Sequence, residues 1–449
     1  MRIRRRVPSF LAATWVAVLA LSTLSSLSVE ARGEATDYVE DVRFALERLD
    51  EECGHFFELK GIDWRRVSAE FLREARSVRT DQEHLVLLVR LLARLEDGHA
   101  SVRPLDKGRD VRWPEEDQGP RTNPGMILCR SGRKILVRNA WGPAEAAGIQ
   151  PGMEIVKVDG RPAARWLDDR IEQISDKVSF STDHQALYHA CQGGFADPPG
   201  TRYELELRDA RGKRKKTTLT CPQRGSAPKG PAFPPKDLAT TGDLYYGTTE
   251  AGWGYLFVRR CPGDLPEQTD RALAALGSPP GLILDFRGNS GGGFDHEAFL
   301  GRFVPEGETL RFASSYPSAG PNPYGGPIVV IVDATTVSAG ETASGIFKED
   351  GRAYMIGSSP TAGMSSSKTT IELPSGLFAL YVSVRSNKHR FNGGKGIEGI
   401  GVIPHETVDY DPRDLAEGKD TLILRAEKLL ARYPAGKVPY DPAKFGWKR

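Results

Sequence analysis

No Cys-X-X-Cys pair occurs in this 449-residue chain. Its five cysteines, Cys53, Cys129, Cys191, Cys221 and Cys261, are widely spread, which excludes the common zinc-site spacings. In an oxidising compartment they allow one or two disulfides and leave at least one thiol over, with a pairing that spacing does not fix. Charge of one sign is also missing. The 61 Lys+Arg stand against 59 Asp+Glu, a formal net charge of +2, so phosphate neutralisation has no basic excess to work with and a nucleic-acid-binding function is not expected. No charge block marks an acidic tail. The 48 Gly and 31 Pro follow no period, which excludes a collagenous chain. The longest apolar run, 10–21, is too short to span a bilayer comfortably.

What is present fits a folded protein of two to four domains, with 39% apolar and 27% charged residues. The start, Met1-Arg2-Ile3-Arg4-Arg5-Arg6, then the apolar run, then Val29-Glu30-Ala31, has the three-part pattern of a secretory signal over 1–31. The expected location is therefore secreted or periplasmic, in the cell envelope, with no stable membrane span after cleavage.

Residues 36–103 read as three short amphipathic helices forming a bundle, with apolar residues at helical spacing over 38–49, 64–75 and 83–95. The bundle stops at Glu96-Asp97-Gly98-His99, where Gly ends a helix. A charged, Pro-containing linker covers 104–122. Residues 120–222 turn to strand texture, ending in an expected hairpin around Ala210-Arg211-Gly212. Residues 223–243, rich in Pro, Gly and Lys, read as a second linker. From 244 to 435, near-continuous apolar runs such as Gly281-Leu282-Ile283-Leu284-Asp285 and Pro327-Ile328-Val329-Val330-Ile331-Val332 predict strands buried on both faces of an α/β sheet.

Two segments of the last domain carry chemistry. Asp285-Phe286-Arg287-Gly288-Asn289-Ser290-Gly291-Gly292-Gly293 follows a buried strand, and its glycines let backbone N–H groups approach a ligand oxygen. No Lys-Ser/Thr follows, so it is not a nucleotide P-loop. Ala334-Thr335-Thr336-Val337-Ser338-Ala339-Gly340-Glu341 opens an expected helix through Ile346. Ser338 with Glu341 reads as a capping box. It reads equally as a nucleophile in the positive field of a helix N-terminus. Of the eight histidines, His55, His84, His184, His189, His296, His389 and His405 show no metal-ligand spacing. His296, close after the glycine loop, is the reserve base.

The stretch Gly142-Pro143-Ala144-Glu145-Ala146-Ala147-Gly148-Ile149-Gln150-Pro151-Gly152-Met153-Glu154-Ile155-Val156-Lys157-Val158-Asp159-Gly160 resembles a PDZ domain. The resemblance implies an extended peptide bound along a sheet edge, with its terminal carboxylate on the loop of Gly125, Met126 and Ile127. The stretch 162–200 is longer than a minimal module needs.

The glycine motif, Ser338, the turn Thr361-Ala362-Gly363 and Asp97-Gly98-His99 together resemble the serine peptidase family of the C-terminal processing peptidases and the tricorn core protease. The implied fold is multidomain α/β: an N-terminal helical bundle, a PDZ-like β-rich domain and a C-terminal crotonase/ClpP-like α/β catalytic domain. In the processing-peptidase branch a Lys directly after the Gly of the turn activates the Ser. Here that residue is Met364, so a Ser–Lys dyad is not expected. The resemblance to the tricorn-like branch implies His99 as base and Glu398, near the final Gly-Val-x-Pro segment, as its support. It implies oxyanion donors from Ala339 and from Gly291 or Gly292. In tricorn a Ser immediately before the His links it to the Glu; Gly98 stands there in this chain, so Glu398 acts directly, through water, or not at all.

The expected function is an exported serine endopeptidase acting on unfolded or C-terminal polypeptide segments, without metal or organic cofactor. The alternative is a catalytically inactive peptide-binding protein of the same fold. Acyl-CoA chemistry, suggested by the crotonase-like spiral, has no adenine-binding or carboxylate acid/base signature behind it.

Overall fold

The computed structural model describes residues 37–113, 120–312, 314–349, 351–385, 387 and 390–432. The expected signal segment 1–31 and His389 lie outside them. No helix among the described residues is long and apolar enough to cross a membrane.

The described residues open with helices α1 (Tyr38–Lys60), α2 (Trp64–Ala75) and α3 (Asp81–Ala93). The Asp63 and Thr80 side chains accept the N–H groups of Arg66 and Glu83 and so cap α2 and α3. At 23 residues α1 is not short. Nor does the helical segment run to 103: strand β1 (Ser101–Pro104) follows α3, and it pairs far away in the chain.

The middle region holds β2 (Met126–Ser131), β3 (Lys134–Ala140), α4 (Gly142–Ala146), β4 (Glu154–Val158), β5 (Arg161–Pro162), α5 (Ala163–Ser175), α6 (Asp183–Gly193), β6 (Arg202–Arg208) and β7 (Arg214–Thr220). Its sheet runs β2-β3-β4-β6-β7, with β2 at the edge and β5 beside β4. Met126, Leu128, Ile135 and Val137 pack with Trp166, Phe195 and Tyr203 inside it. Helices α5 and α6 occupy the stretch that exceeds a minimal module.

The last region contributes β8 (Ala239–Thr241), β9 (Leu244–Thr248), β10 (Gly254–Val258), α7 (Leu265–Leu276), β11 (Leu282–Asp285), α8 (His296–Gly301), β12 (Thr309–Phe312), β13 (Ser314–Pro317), β14 (Ile328–Val332), α9 (Ala339–Glu349), β15 (Tyr354–Gly357), β16 (Ser367–Glu372), β17 (Phe378–Arg385) and β18 (Glu406–Thr407). Seven strands form the order β18-β15-β14-β11-β10-β9-β8, parallel from β10 through β18. The apolar runs form β10, β11 and β14. Both faces are covered, which is why they do not alternate. Leu256, Leu284 and Val330 face one core. Tyr255, Ile283 and Val329 face another, shared with Leu422 and Ala426 of the helix Thr421–Leu430 and with Cys129 and Leu136 of the middle sheet. The expected linker 223–243 is partly structured: β8 edges the main sheet, and Ala232 is buried.

The helices at the start do not form a free-standing bundle. Val42, Leu49, Phe71 and Leu88 share their core with Ile371 of β16 and with Leu380 and Val382 of β17. Strand β1 joins those two in a three-stranded sheet, β1-β17-β16. The residues just before β1 are thereby carried into the last domain.

The strand end before the glycine motif is fixed by Arg287, which is fully buried. Its guanidinium donates to both oxygens of Asp285, and its Nη1 donates to Asp420 at 3.0 and 2.9 Å. Asp420 also accepts the Leu422 and Ala232 amides. Removing one partner of a buried pair leaves the other charge without compensation. Arg287→Met is therefore expected to destabilise the fold by about 3–5 kcal/mol, measured by urea unfolding. A loss below about 1 kcal/mol would contradict this role.

Candidate active site

Strand β14 delivers the chain to a tight turn that ends at Ser338, which holds a φ of +55°. A non-glycine residue reaches that left-handed region only where its surroundings enforce it. The enforcing group is Glu341, fully buried in the first turn of α9. Its Oε2 accepts the amides of Ser338 (3.0 Å) and Met364 (2.9 Å). Its Oε1 accepts the Thr361 hydroxyl (2.6 Å) and the Gly363 amide (2.7 Å). Burial pushes this carboxyl up to about 8. The hydrogen bonds from Thr361, Gly363 and Met364 act the other way and only partly offset that burial. The expected capping box is thus only half made. Glu341 caps the Ser338 amide, and the Ser338 hydroxyl is spent on no hydrogen bond among the described residues.

The glycine loop lies against this elbow. The Val337 amide donates to the Asn289 carbonyl at 3.1 Å. A Cβ placed on Gly291 would sit 2.7 Å from Ser338 Cβ and 3.3 Å from the Ala339 nitrogen, so only glycine permits the approach. The Gly291 amide itself donates to Asn289 Oδ1 at 2.8 Å. That removes Gly291 from the expected oxyanion donors, because its N–H is already used. Among the described residues the amides of Ala339 and Gly292 have no such partner. Asn289, which sequence reading passed over, shapes the loop: its Nδ2 donates to the Val258 carbonyl at 2.7 Å.

His99 reaches this region through β1. A Cβ on Gly98 would lie 2.7 Å from Met364 Sδ. The Met364 amide is bound to the same Glu341 oxygen as the Ser338 amide. The turn before His99 therefore touches the turn that Glu341 holds. His99 Nδ1 lies 3.5 Å from Ser383 Oγ on β17 and 4.0 Å from Asp97 Oδ1. Asp97 is fixed in turn by the Ser383 amide (2.7 Å) and hydroxyl (2.9 Å). Burial pushes the imidazole down to about 4; Asp97 opposes this, and the charges of Lys368 and Lys60 add to it. The ring is neutral at pH 7, the form that accepts a proton.

Glu398 does not hydrogen-bond the His99 ring. Its Oε1 accepts Lys60 Nζ at 3.0 Å and the Ser181 hydroxyl at 3.2 Å, while its Oε2 is buried without a partner. Burial pushes it up to about 7, against the Lys60 ammonium. The expectation that Glu398 supports His99 becomes an indirect one. Ser181 Oγ accepts the Gly98 amide at 2.9 Å, and Ser179 Oγ accepts the Asp97 amide at 2.8 Å. Two hydroxyls from the middle domain thus hold the turn that carries His99. The space a Ser side chain would need at position 98 is filled by Met364 and Gln185. The groups nearest His99 Nδ1 are Ser383 and Asp97. Asp97 lay in the quoted motif without an assigned role. Ser181, Ser383 and Lys60 carry no local sequence signal.

The expected peptide loop also needs correction. The Gly125 and Met126 amides donate to Asn123 Oδ1 at 2.8 and 2.9 Å, so a side-chain carbonyl already occupies the place of a carboxylate. Ile127 is buried and pairs with Asn139. His296, the reserve base, stacks on Phe294 with ring centroids 4.2 Å apart and has no hydrogen bond to Ser338.

Residues 252–408 match the model of peptidase family S41. The chloroplastic C-terminal processing peptidase of Tetradesmus obliquus is 27% identical over 380 residues, covering 79% of this chain and 74% of that protein. A putative tricorn protease homolog of Streptomyces coelicolor is 26% identical over 400 residues, covering 86% of this chain; the alignment spans only 31% of that longer protein. Among solved structures, mature CPAF complexed with lactacystin superimposes with a TM-score of 0.62 at 14% identity, covering 88% of this chain and 98% of the other. That likeness shows a shared mixed α/β fold.

Two outcomes are expected. If His99 is the base, the acid limb of kcat/KM for peptide hydrolysis falls near pH 4, where the depressed imidazole becomes protonated; a limb near 6.5, the ordinary histidine value, would contradict the depression by burial. Ser181→Ala lowers kcat about tenfold, the equivalent of about 1.4 kcal/mol, with KM unchanged. Ser181→Thr restores it. A change confined to KM would contradict a role in holding the His99 turn.

Proposed function

Starting from a serine-type peptidase, as the family S41 match and the processing-protease relatives make this chain, we propose that Ser338 is its nucleophile and His99 its general base. The reading extends to an exported endopeptidase that cleaves unfolded or C-terminal segments of polypeptides, with the PDZ-like middle domain as a substrate-handling module. The export part rests on the sequence pattern of 1–31 alone.

The observation that carries the reading is the Ser338 elbow. A hydroxyl without a hydrogen bond among the described residues sits at a helix N-terminus, on a residue with positive φ, against a glycine loop. In the proposed mechanism Ser338 Oγ attacks the scissile carbonyl carbon while His99 takes the hydroxyl proton. The oxyanion so formed is stabilised by the Ala339 and Gly292 amides. Collapse breaks the C–N bond, and His99 returns the proton to the leaving amine. Water then attacks the acyl-enzyme with His99 again as base, releasing the new carboxylate and restoring Ser338. Asp97, bridged by Ser383, orients the imidazole and stabilises its charged form. Glu398, with Lys60 and Ser181, holds the turn below it.

The second reading, a catalytically inactive peptide-binding protein of the same fold, draws on Gly98 standing where a linking Ser would be; Ser181 joins the Gly98 amide to Glu398 and not to the His99 ring.

Ser338→Ala is expected to lower casein and peptide hydrolysis by about 10⁴-fold or more and to abolish labelling by a fluorophosphonate probe, with folding unchanged by circular dichroism. Equal turnover by the wild type and the Ser338→Ala chain would remove Ser338 from the mechanism.

A further inference from the structure

The three-stranded sheet β1-β17-β16 has two unlike faces. One is apolar and packs on the first helices through Leu380 and Val382 of β17, Ile371 of β16 and Val102 of β1. Side chains alternate along each strand, so the other face carries Arg103 of β1, Tyr381 and Ser383 of β17, and Lys368 and Glu372 of β16.

Three residues on that side stand in one row. Ser101 pairs with Tyr381, so His99, two residues before the one, meets Ser383, two residues after the other. The His99 Nδ1 to Ser383 Oγ distance of 3.5 Å agrees with this. Lys368 pairs with Ser383 from the opposite side. The order across the sheet is therefore His99, Ser383, Lys368. Paired residues on neighbouring strands have Cβ atoms about 5 Å apart, so a lysine chain in the third place reaches back over the row. Its charge is among those that act on the imidazole.

No carboxylate among the described residues answers this lysine. Lys368 is half-buried and makes no hydrogen bond or ion pair among them. Asp97, beside the row, is engaged by the Ser383 amide and hydroxyl and by the His99 amide. Glu372 shares the strand and the face but lies four residues along, about 13 Å away. Arg103, the other cation of this face, is spent on the Tyr381 ring, 3.5 Å from its centroid. A lysine on an edge strand often serves only to deter pairing with another chain. This one stands at the end of its strand nearest His99, next to a β-bulge: Ser367 pairs with Arg385 and Lys368 with Ser383, which leaves Val384 over. Bulges re-aim side chains and cluster beside active sites.

We propose that Lys368 is a specificity-determining residue that receives an acidic side chain of the polypeptide substrate on the leaving-amine side of the scissile bond. With Ser338 as nucleophile and His99 as base, the reading on which this rests, His99 hands its proton to the leaving amine. The departing segment then begins at the imidazole and runs over the face that bears Lys368. A carboxylate there meets an unanswered ammonium, whereas a basic side chain meets like charge.

The test compares internally quenched peptides that carry Glu, Gln or Lys in turn at each of the first few positions after the cut, with the cut located by mass spectrometry. The wild type is expected to cleave the best-placed Glu peptide with a kcat/KM about fivefold above that of its Gln twin, and the Lys peptide more slowly still. Sodium chloride at about 1 M, where the Debye length is about 3 Å, shrinks the preference. Lys368→Arg keeps it, Lys368→Gln brings the Glu and Gln peptides to parity, and Lys368→Glu turns the preference toward the Lys peptide. Ratios are read within one variant, so a general change in His99 basicity cancels. A wild type indifferent to Glu and Gln, or a preference that survives Lys368→Gln, overturns the proposal and leaves Lys368 an edge lysine. The same peptides, labelled, are titrated by anisotropy into the Ser338→Ala chain. If the wild type cleaves none of them, tighter binding of the Glu peptide, lost with Lys368→Gln, keeps the acidic segment at Lys368 while the hydrolysis reading fails; equal affinities overturn the proposal as well.

Discussion

The four-donor hydrogen-bond set around the Glu341 carboxylate is the constraint on which the candidate site depends. It bends the chain at Ser338, caps α9 and fixes the 361–364 turn with one side chain. Its burial would be costly if any donor were lost, since a buried carboxylate needs every hydrogen bond it has. Freed by this arrangement from capping the helix, the Ser338 hydroxyl is available for chemistry. The same residue pair that reads as a helix signal in the sequence therefore shapes the turn of the proposed nucleophile in the fold.

A second constraint comes from distance along the chain. His99 belongs to the first helical segment, and Ser338 to the last domain. Strand β1 closes the gap by pairing with β17, which carries Ser383 to the imidazole. The middle domain adds Ser179 and Ser181 beneath the same turn, and Lys60 of α1 meets Glu398 there. Three regions converge on one loop of three residues. The middle domain thus meets the His99 turn through the Ser179 and Ser181 hydroxyls.

Much of this was legible in the residues. The runs at 254–258, 281–285 and 327–332 announced strands covered on both faces, because a parallel sheet leaves no solvent side to alternate with. Ser338 before a helix and a glycine cluster after a strand are local signals, and the fold sets those two turns against each other. Strand β1 was hidden: four largely exposed residues pair with a partner far along the chain, and nothing local says so. Ser181, Ser383 and Lys60 are single polar residues whose meaning exists only in three dimensions. The closure of the Gly125 and Met126 amides was readable in part, since Asn123 two residues before a glycine is the pattern of an Asx turn.

The central claim is that an imidazole from the first segment serves a hydroxyl in the last domain. A crystal structure of the full chain with a phosphonate bonded to Ser338 Oγ tests it directly. His99 Nε2 is expected within about 3 Å of a phosphonate oxygen or of Oγ, with the anionic oxygen on the Ala339 and Gly292 amides. An adduct in which the His99 ring stays beyond about 6 Å, with another side chain in its place, would contradict it.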